Sequence, residues 1–368
     1  MTENGLKLLA LIRTSGGISR ADLAKQTGLS RPAVSALIEQ LLSTGLIAET
    51  GHAESRGGKP PIRLAIVPEA CSAIGIDMGE ENIIRGVVCD GAGHVMVERE
   101  VPGENVFAAM VNVTAELVKQ LRQTARNVTL CGIGIAVSGI VDGRRNEVLT
   151  SSNFDLSGKP LASELVQRCQ LPVILGNRAR TAAHAEKIVG NAREFSDFLY
   201  LSIGKSIGCS IYQNHRLWMG SNNGAGEIST LLVPTPDGLD KLENVIRESY
   251  LCSAYRQITG QRITWTGLAS AWLQGDSNAL KVINDNLAAM VYATAVAVNL
   301  LNPQAVILGG RFKELGEPYR AAFQQQLQGL LVDILRNSVV VKMSAHGRAA
   351  SALGAALQVI DRVFRFEL

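Results

Sequence analysis

At 368 residues, with 46% hydrophobic and 19% charged side chains, the chain is long enough for about two to three domains and too apolar to be disordered throughout. Its net charge of +3 sits in residues 1–65, which hold eight Lys/Arg and five Asp/Glu, while the remainder holds 28 of each sign; a basic, anion-facing module is thus joined to a neutral body. No apolar run reaches the ~20 residues of a membrane helix, the N-terminal residues lack secretory architecture, and six scattered cysteines without a CxxC pair argue for a reducing cytoplasm and against a disulfide scaffold or a zinc knuckle.

Residues 5–13 place Leu6, Leu9 and Ile12, with Leu8, on one helical face, and Gly16-Gly17 break that helix. Ser19 then caps a second helix that carries Leu23 and Ala24 inward and ends at Gly28. Ser30 caps a third, with Pro32 in its first turn and Ala33, Val34, Leu37, Ile38, Leu41 and Leu42 forming one apolar stripe, and Gly45 stops it. Two short helices joined by a Gly turn read as a helix-turn-helix. The second presents Ser30, Arg31, Pro32 and Ser35 on its polar face, and Arg20 lies at the start of the helix before it. Residues 46–50 and 62–66 read as the two strands of a wing. The loop between them contains Arg56, Gly57, Gly58 and Lys59, basic and without bulk, which suits a narrow minor groove. A protein-interaction module with a solvated loop is the plainer alternative. Low aromatic content, 5%, gives no support for a base-stacking RNA module.

The body begins with strand, hairpin and strand over 73–101, a helix over about 107–126, and an apolar strand, LCGIGIAVSG. Residues 198–219 repeat the opening (FLYLSIG, KSIGCSIYQ, RLWMG), followed by a helical region and AVILGG at 305–310. Two copies of one strand–hairpin–helix–strand unit predict a duplicated α/β body. The expected division is 1–70 for the DNA-binding domain, 71–190 for a first lobe and 191–368 for a second, with the C-terminal helix able to pack back on the first lobe.

Several ordered stretches resemble the ROK family of sugar kinases and repressors: IGIDMGEENIIRGVVCDGAGHV, GIGIAVSGIVD, SSNFDLSGKPL, PVILGNRARTAAHAE, LSIGKSIGCSIYQNHRLWMGSNNGAGEIS, LNPQAVILGG and SALGAAL. SRGGKPP is similar to the family's wing motif. The resemblance spans nearly the whole chain and follows the repressor branch. It implies a winged helix-turn-helix followed by a two-lobed, actin/hexokinase-like (ribonuclease-H-like) body. It also implies that Gly139, Asn153, Asn177, Glu227 and Glu243 face a sugar.

The departures from the kinase pattern bear on activity. Kinases of the family carry Asp after the Asn of the fourth stretch, where a base must take the sugar hydroxyl's proton. Here Asn177 is followed by Arg178, which cannot serve as a base at neutral pH. The first phosphate loop reads Gly79-Glu80-Glu81-Asn82, and its carboxylates would repel a triphosphate. Gly204-Lys205-Ser206 is no Walker A motif, because position 199 is Leu. Thr230 stands at the zinc-binding His position, and no Cys-rich run follows. Arg178 also suits a phosphate already attached to the effector, through a bidentate pair; the alternative is that it pairs with Asp77, Glu80 or Glu227 and closes a vestigial site.

The expected protein is a cytoplasmic regulator, a repressor, that binds a palindromic double-stranded operator as a homodimer or higher homo-oligomer. It responds to a sugar or sugar phosphate held by Gly139, Asn153, Asn177, Arg178, Glu227 and Glu243. It has no catalytic residue, cofactor, metal or membrane partner. The alternatives are an active ATP-dependent sugar kinase, favoured by Asp77, Gly79 and Gly309-Gly310, and a regulator whose pocket is dead and whose body serves only as a dimerisation scaffold.

Overall fold

The computed structural model describes residues 2–52, 61–80, 83–126, 128–151, 154–204, 206–235, 238–365 and 367. The chain divides into two compact units, Met1–Asn177 with Ser351–Leu368, and Arg178–Ala350.

The first unit opens with a small helical module. Helix α1 (Glu3–Ser15) is capped by Thr2, whose hydroxyl accepts the Gly5 N–H at 3.2 Å, and it stops at Gly16. Strand β1 (Ile18–Ser19) leads into α2 (Arg20–Thr27), where Ser19 Oγ accepts the Asp22 N–H at 3.1 Å and Gly28 ends the helix at φ 72°. Helix α3 (Arg31–Ser43) starts at the Ser30 cap. Each hydroxyl satisfies a backbone N–H that a helix start leaves without an intrahelical partner. Strands β2 (Ile47–His52) and β3 (Ile62–Ile66) complete an antiparallel sheet of order β1-β3-β2. At two residues, β1 is too short to show alternation in sequence, and only its pairing of Ile18 with Leu64 reveals it. Leu8, Ile12, Leu23, Val34, Ile38 and Leu64 fill the core. Ala33, read as part of the α3 stripe, is exposed. It lies one residue, about 100°, from the Val34–Ile38–Leu41 line.

The first unit continues with the meander β4 (Ser72–Glu80), β5 (Ile83–Asp90) and β6 (Val95–Pro102). Helix α4 (Phe107–Thr124) buries Met110, Thr114, Leu117 and Leu121 at helical spacing and leads to β7 (Leu130–Val137), parallel to β4. The hairpin β8 (Gly139–Asp142) and β9 (Glu147–Ser151), helix α5 (Leu161–Cys169) and strand β10 (Val173–Asn177) follow. The sheet order is β10-β7-β4-β5-β6.

The second unit begins with α6 (Arg178–Val189) and the meander β11 (Phe198–Ile203), β12 (Ile207–Gln213) and β13 (Arg216–Trp218). Next come the hairpin β14 (Leu232–Thr235) and β15 (Gly238–Lys241), then helices α7 (Leu242–Ile246), α8 (Glu248–Thr259), α9 (Trp265–Leu273) and α10 (Ser277–Leu301). Strand β16 (Ala305–Gly310), helices α11 (Phe312–Leu330) and α12 (Asp333–Arg336) and strand β17 (Val340–Met343) close the unit. Its sheet order is β13-β12-β11-β16-β17, three antiparallel strands and then two parallel ones. Read from the other edge, the first sheet has the same order and the same directions, so the duplication visible in sequence is a repeated topology. Strands β10 and β17 extend that repeat beyond the segments read as repeated. The units meet at 177/178 rather than at 190/191. The reason is that α6 packs Ala182 and Ala183 against Phe198, Tyr200 and Tyr212 of the second sheet.

Helix α13 (Ala350–Phe364) returns to the first unit. A Cβ on Gly75 would stand 1.8 Å from the Ala352 carbonyl oxygen, and one on Gly134 would stand 2.0 Å from that of Ala355. The helix backbone therefore lies directly on β4 and β7, an approach that only glycine permits. No described helix is long and apolar enough to cross a membrane.

Candidate nucleic-acid interface and effector site

The exposed side of α3 is built from its first turn. Ser30, Arg31, Pro32 and Ser35 are all exposed, while Val34, Ile38 and Leu41 turn inward. The Ser30 cap and the fixed φ of Pro32 hold that turn, so its outward side chains are presented by a rigid helix end. Arg20 is placed differently. It is half-buried and pairs with Glu39 of α3 at 2.7 Å and Glu49 of β2 at 3.1 Å, tying three elements together. Arg56, Gly57, Gly58 and Lys59 lie outside the described residues. Arg63, which sequence reading passed over, is exposed on β3.

Of the residues expected to hold the effector, two come together in the first unit. Gly139 sits at φ 140° in β8, and its carbonyl accepts from Asn177 Nδ2 at 2.7 Å. Nearby in the same unit, the buried Asp77 carboxylate accepts the Gly79 N–H at 2.8 Å. Asn153 lies outside the described residues.

The others belong to the second unit. Arg178 opens α6 half-buried, with Nη1 3.9 Å from the position a Cβ would take on Gly204. At the same loop, the Gly204 carbonyl accepts from the Glu248 backbone N–H at 3.1 Å, and the Glu248 carboxylate pairs with Arg311 at 2.9 Å. Glu227 is exposed in the Gly224-Ala225-Gly226-Glu227 loop. Gly226 sits there at φ 89°, and a Cβ would come 2.4 Å from the Cys209 carbonyl oxygen. Half-buried Glu243 lies in the first turn of α7, and its backbone N–H donates to the Ser229 carbonyl at 3.0 Å, which brings Glu243 to the Glu227 loop.

Arg180 is a residue that sequence reading did not single out. It is buried and donates to the carbonyls of Asn223 and Ala225, stapling the Glu227 loop to α6. Burial pulls its guanidinium below its usual range, and the Glu227 charge opposes that shift. A second such residue is Arg13 of α1, buried against α13, where it pairs with Asp361 and lies 5.2 Å from the Phe364 ring centroid. Arg13 joins the small helical module to the helix that lies on the first sheet.

Comparison with known proteins agrees with this architecture. Residues 73–362 match the ROK family, and residues 1–48 match a winged helix-turn-helix DNA-binding family. The chain belongs to the ROK family. The xylose repressor of Caldicellulosiruptor bescii is 26% identical over 99% of this chain and 96% of its own length. Among solved structures, a ROK family transcriptional regulator homologous to the E. coli MLC protein superposes with a TM-score of 0.81 at 21% identity, covering 99% of this chain and 98% of that one. A ROK family glucokinase from Streptomyces griseus, solved with glucose and AMPPNP, covers 77% of this chain and 98% of its own, with a TM-score of 0.69 at 23% identity. The ROK repressor likeness therefore includes the N-terminal module, whereas the kinase likeness spans a smaller share of the chain.

Proposed function

We infer that this ROK protein is a sugar-responsive, DNA-binding transcriptional repressor. The observation that carries the reading is the exposed first turn of α3 on a winged helix-turn-helix that heads a ROK body, with the full-length likeness to a xylose repressor behind it. Residues 1–70 read DNA. Arg31 and Ser35 reach base edges in the major groove, Ser30 and Pro32 set the helix end at the backbone, and Arg56, Gly57, Gly58 and Lys59 enter the minor groove. Arg20 acts by holding α2, α3 and β2 in place through its two carboxylates. A homodimer presents two such helices to a palindromic operator.

The effector is a sugar or sugar phosphate bound by Gly139, Asn153, Asn177, Arg178, Glu227 and Glu243, whose amides, carboxylates and guanidinium match hydroxyl and phosphate groups. The body does not turn over ATP. Arg178 cannot accept the hydroxyl proton. Asn177 followed by Arg178, where kinases of the family carry Asn-Asp, supports this reading.

Selection from a random duplex pool followed by fluorescence anisotropy tests the reading. Arg31→Ala is expected to weaken operator binding by about tenfold or more, the cost of one base contact, and wild-type binding is expected to fall steeply with salt. One member of a panel of hexoses, pentoses, amino sugars and their phosphates is expected to release the DNA, and ATP-Mg with any of them should yield no new sugar phosphate. Unchanged affinity in Arg31→Ala, or sugar-dependent ATP turnover, overturns it.

A further inference from the structure

The last turn of α13 makes two different contacts from adjacent residues. Asp361 pairs with Arg13 of α1, and the Phe364 ring centroid lies 5.2 Å from the same guanidinium. Arg362, the next residue along, donates through Nη2 to the Gly143 carbonyl at 3.4 Å. One turn of helix therefore touches both the small helical module and the turn of the β8–β9 hairpin.

That hairpin turn is held in one shape. The Asp142 carboxylate accepts the backbone N–H groups of Arg144 and Arg145 at 2.9 and 3.2 Å. Asn146 bonds strand β10 twice: its Nδ2 donates to the Val173 carbonyl and its Oδ1 accepts the Leu175 N–H, both at 2.7 Å. Strand β10 ends at Asn177 and β8 begins at Gly139, and the Asn177 amide donates to the Gly139 carbonyl at 2.7 Å. Both strands that carry these effector-facing groups are thus connected to the turn that Arg362 holds.

The contact at Arg13 is only partly satisfied. The side chain is buried, yet its Nε and Nη2 have no acceptor among the described residues. Releasing α1 from α13 would return those donors to water, which offsets part of the cost of breaking the ion pair. A contact with a docked and a released state is an element on which a distant site can act.

We propose, on the sugar-responsive reading above, that Asp361, Arg362 and Phe364 are positioning residues that couple the effector site to the reading module. An effector that engages the Asn177 amide competes for its bond to Gly139. The displacement passes along β8 and β10 to the hairpin turn, through Arg362 to α13, and from Asp361 and Phe364 to Arg13, which seats α1. Operator binding acts along the same contacts in reverse.

Hydrogen-exchange mass spectrometry of the full-length protein tests this, with a duplex that the wild type selects from a random pool as the probe. On adding the duplex, the wild-type peptide spanning 139–151 is expected to change its exchange rate by about fivefold or more, the low end of an allosteric coupling. Arg362→Ala and Asp361→Asn should each still bind the duplex but lose that response, whereas the control Lys119→Ala, on the exposed side of α4, should keep it. A purely structural role would lower thermal stability without removing the response. Arg362 is partly exposed and makes a single long hydrogen bond to the turn, so its variant reads the coupling even if Asp361→Asn loosens the module. Unchanged exchange at 139–151 in duplex-bound wild type overturns the proposal alone, and so does a response kept in both variants. If the wild type selects no duplex, the DNA-binding reading fails and the coupling fails with it.

Discussion

Glu186 has no exposed surface, and four donors meet its side chain: Ser344 Oγ at 2.6 Å and the backbone N–H groups of Asn191, Ala345 and His346 at 2.9, 3.2 and 3.3 Å. It thereby ties α6 to the segment after β17. Glu186→Ala leaves those buried donors without an acceptor and is expected to cost about 3 kcal/mol or more in urea unfolding, while Glu186→Gln retains one acceptor oxygen and should cost less. Position in sequence could not single out this residue, since a Glu on a helix is usually solvated. Arg20 makes the same point from the opposite direction. A basic residue at the start of α2 reads as a DNA contact, but its side chain spans Glu39 and Glu49, and those partners, 19 and 29 residues further along, become neighbours only once the module has folded.

At the scale of elements, local signals were the legible ones. Thr2, Ser19 and Ser30 cap α1, α2 and α3, and Gly16, Gly28 and Gly45 end or follow them in the left-handed region; of these, Gly16, Ser19, Gly28, Ser30 and Gly45 carry their roles in the sequence itself. The sequence left the C-terminal helix able to pack back on the first lobe, but the seat of α13 was not legible at this level. Its apolar stripe is compatible with any core, and what selects its seat is the bare backbone at Gly75 and Gly134. Gly134→Ala forces the helix off β7 and is expected to cost about 3 kcal/mol. The control Gly143→Ala, with nothing within 4 Å of its Cβ, should stay within about 0.5 kcal/mol. Thermal unfolding of the two variants side by side checks this. Arg13 lies on the same helix end through Asp361 and Phe364, so α13 serves both the first sheet and the small helical module.

For the whole molecule, the repeated strand order is the feature with functional weight. One duplicated α/β topology serves kinases and repressors alike in this family, so chemistry must be argued from individual positions such as Arg178 rather than from the fold. If one protein binds both operator and sugar, their coupling is reciprocal: the factor by which the sugar weakens operator binding equals the factor by which operator weakens sugar binding. Titrating sugar into protein with and without saturating operator is expected to return the same factor as the reverse experiment. Sugar at 100 times its dissociation constant should also add about 2.7 kcal/mol to the stability of the free protein. Equal sugar affinity with and without DNA would mean that the body does not report to the reading module.

The sequence by itself determined the order of elements, the helix-turn-helix with its wing strands and the duplication of the body, because caps and periodicity are local properties of the chain. Tertiary structure alone decided that α6 belongs with the second sheet, where on the first sheet α13 seats, and that Arg20 and Arg180 hold loops and elements in place. Each of these depends on groups far apart in sequence whose contact is set by sheet register and close backbone approach, and neither quantity is written in any local stretch of residues.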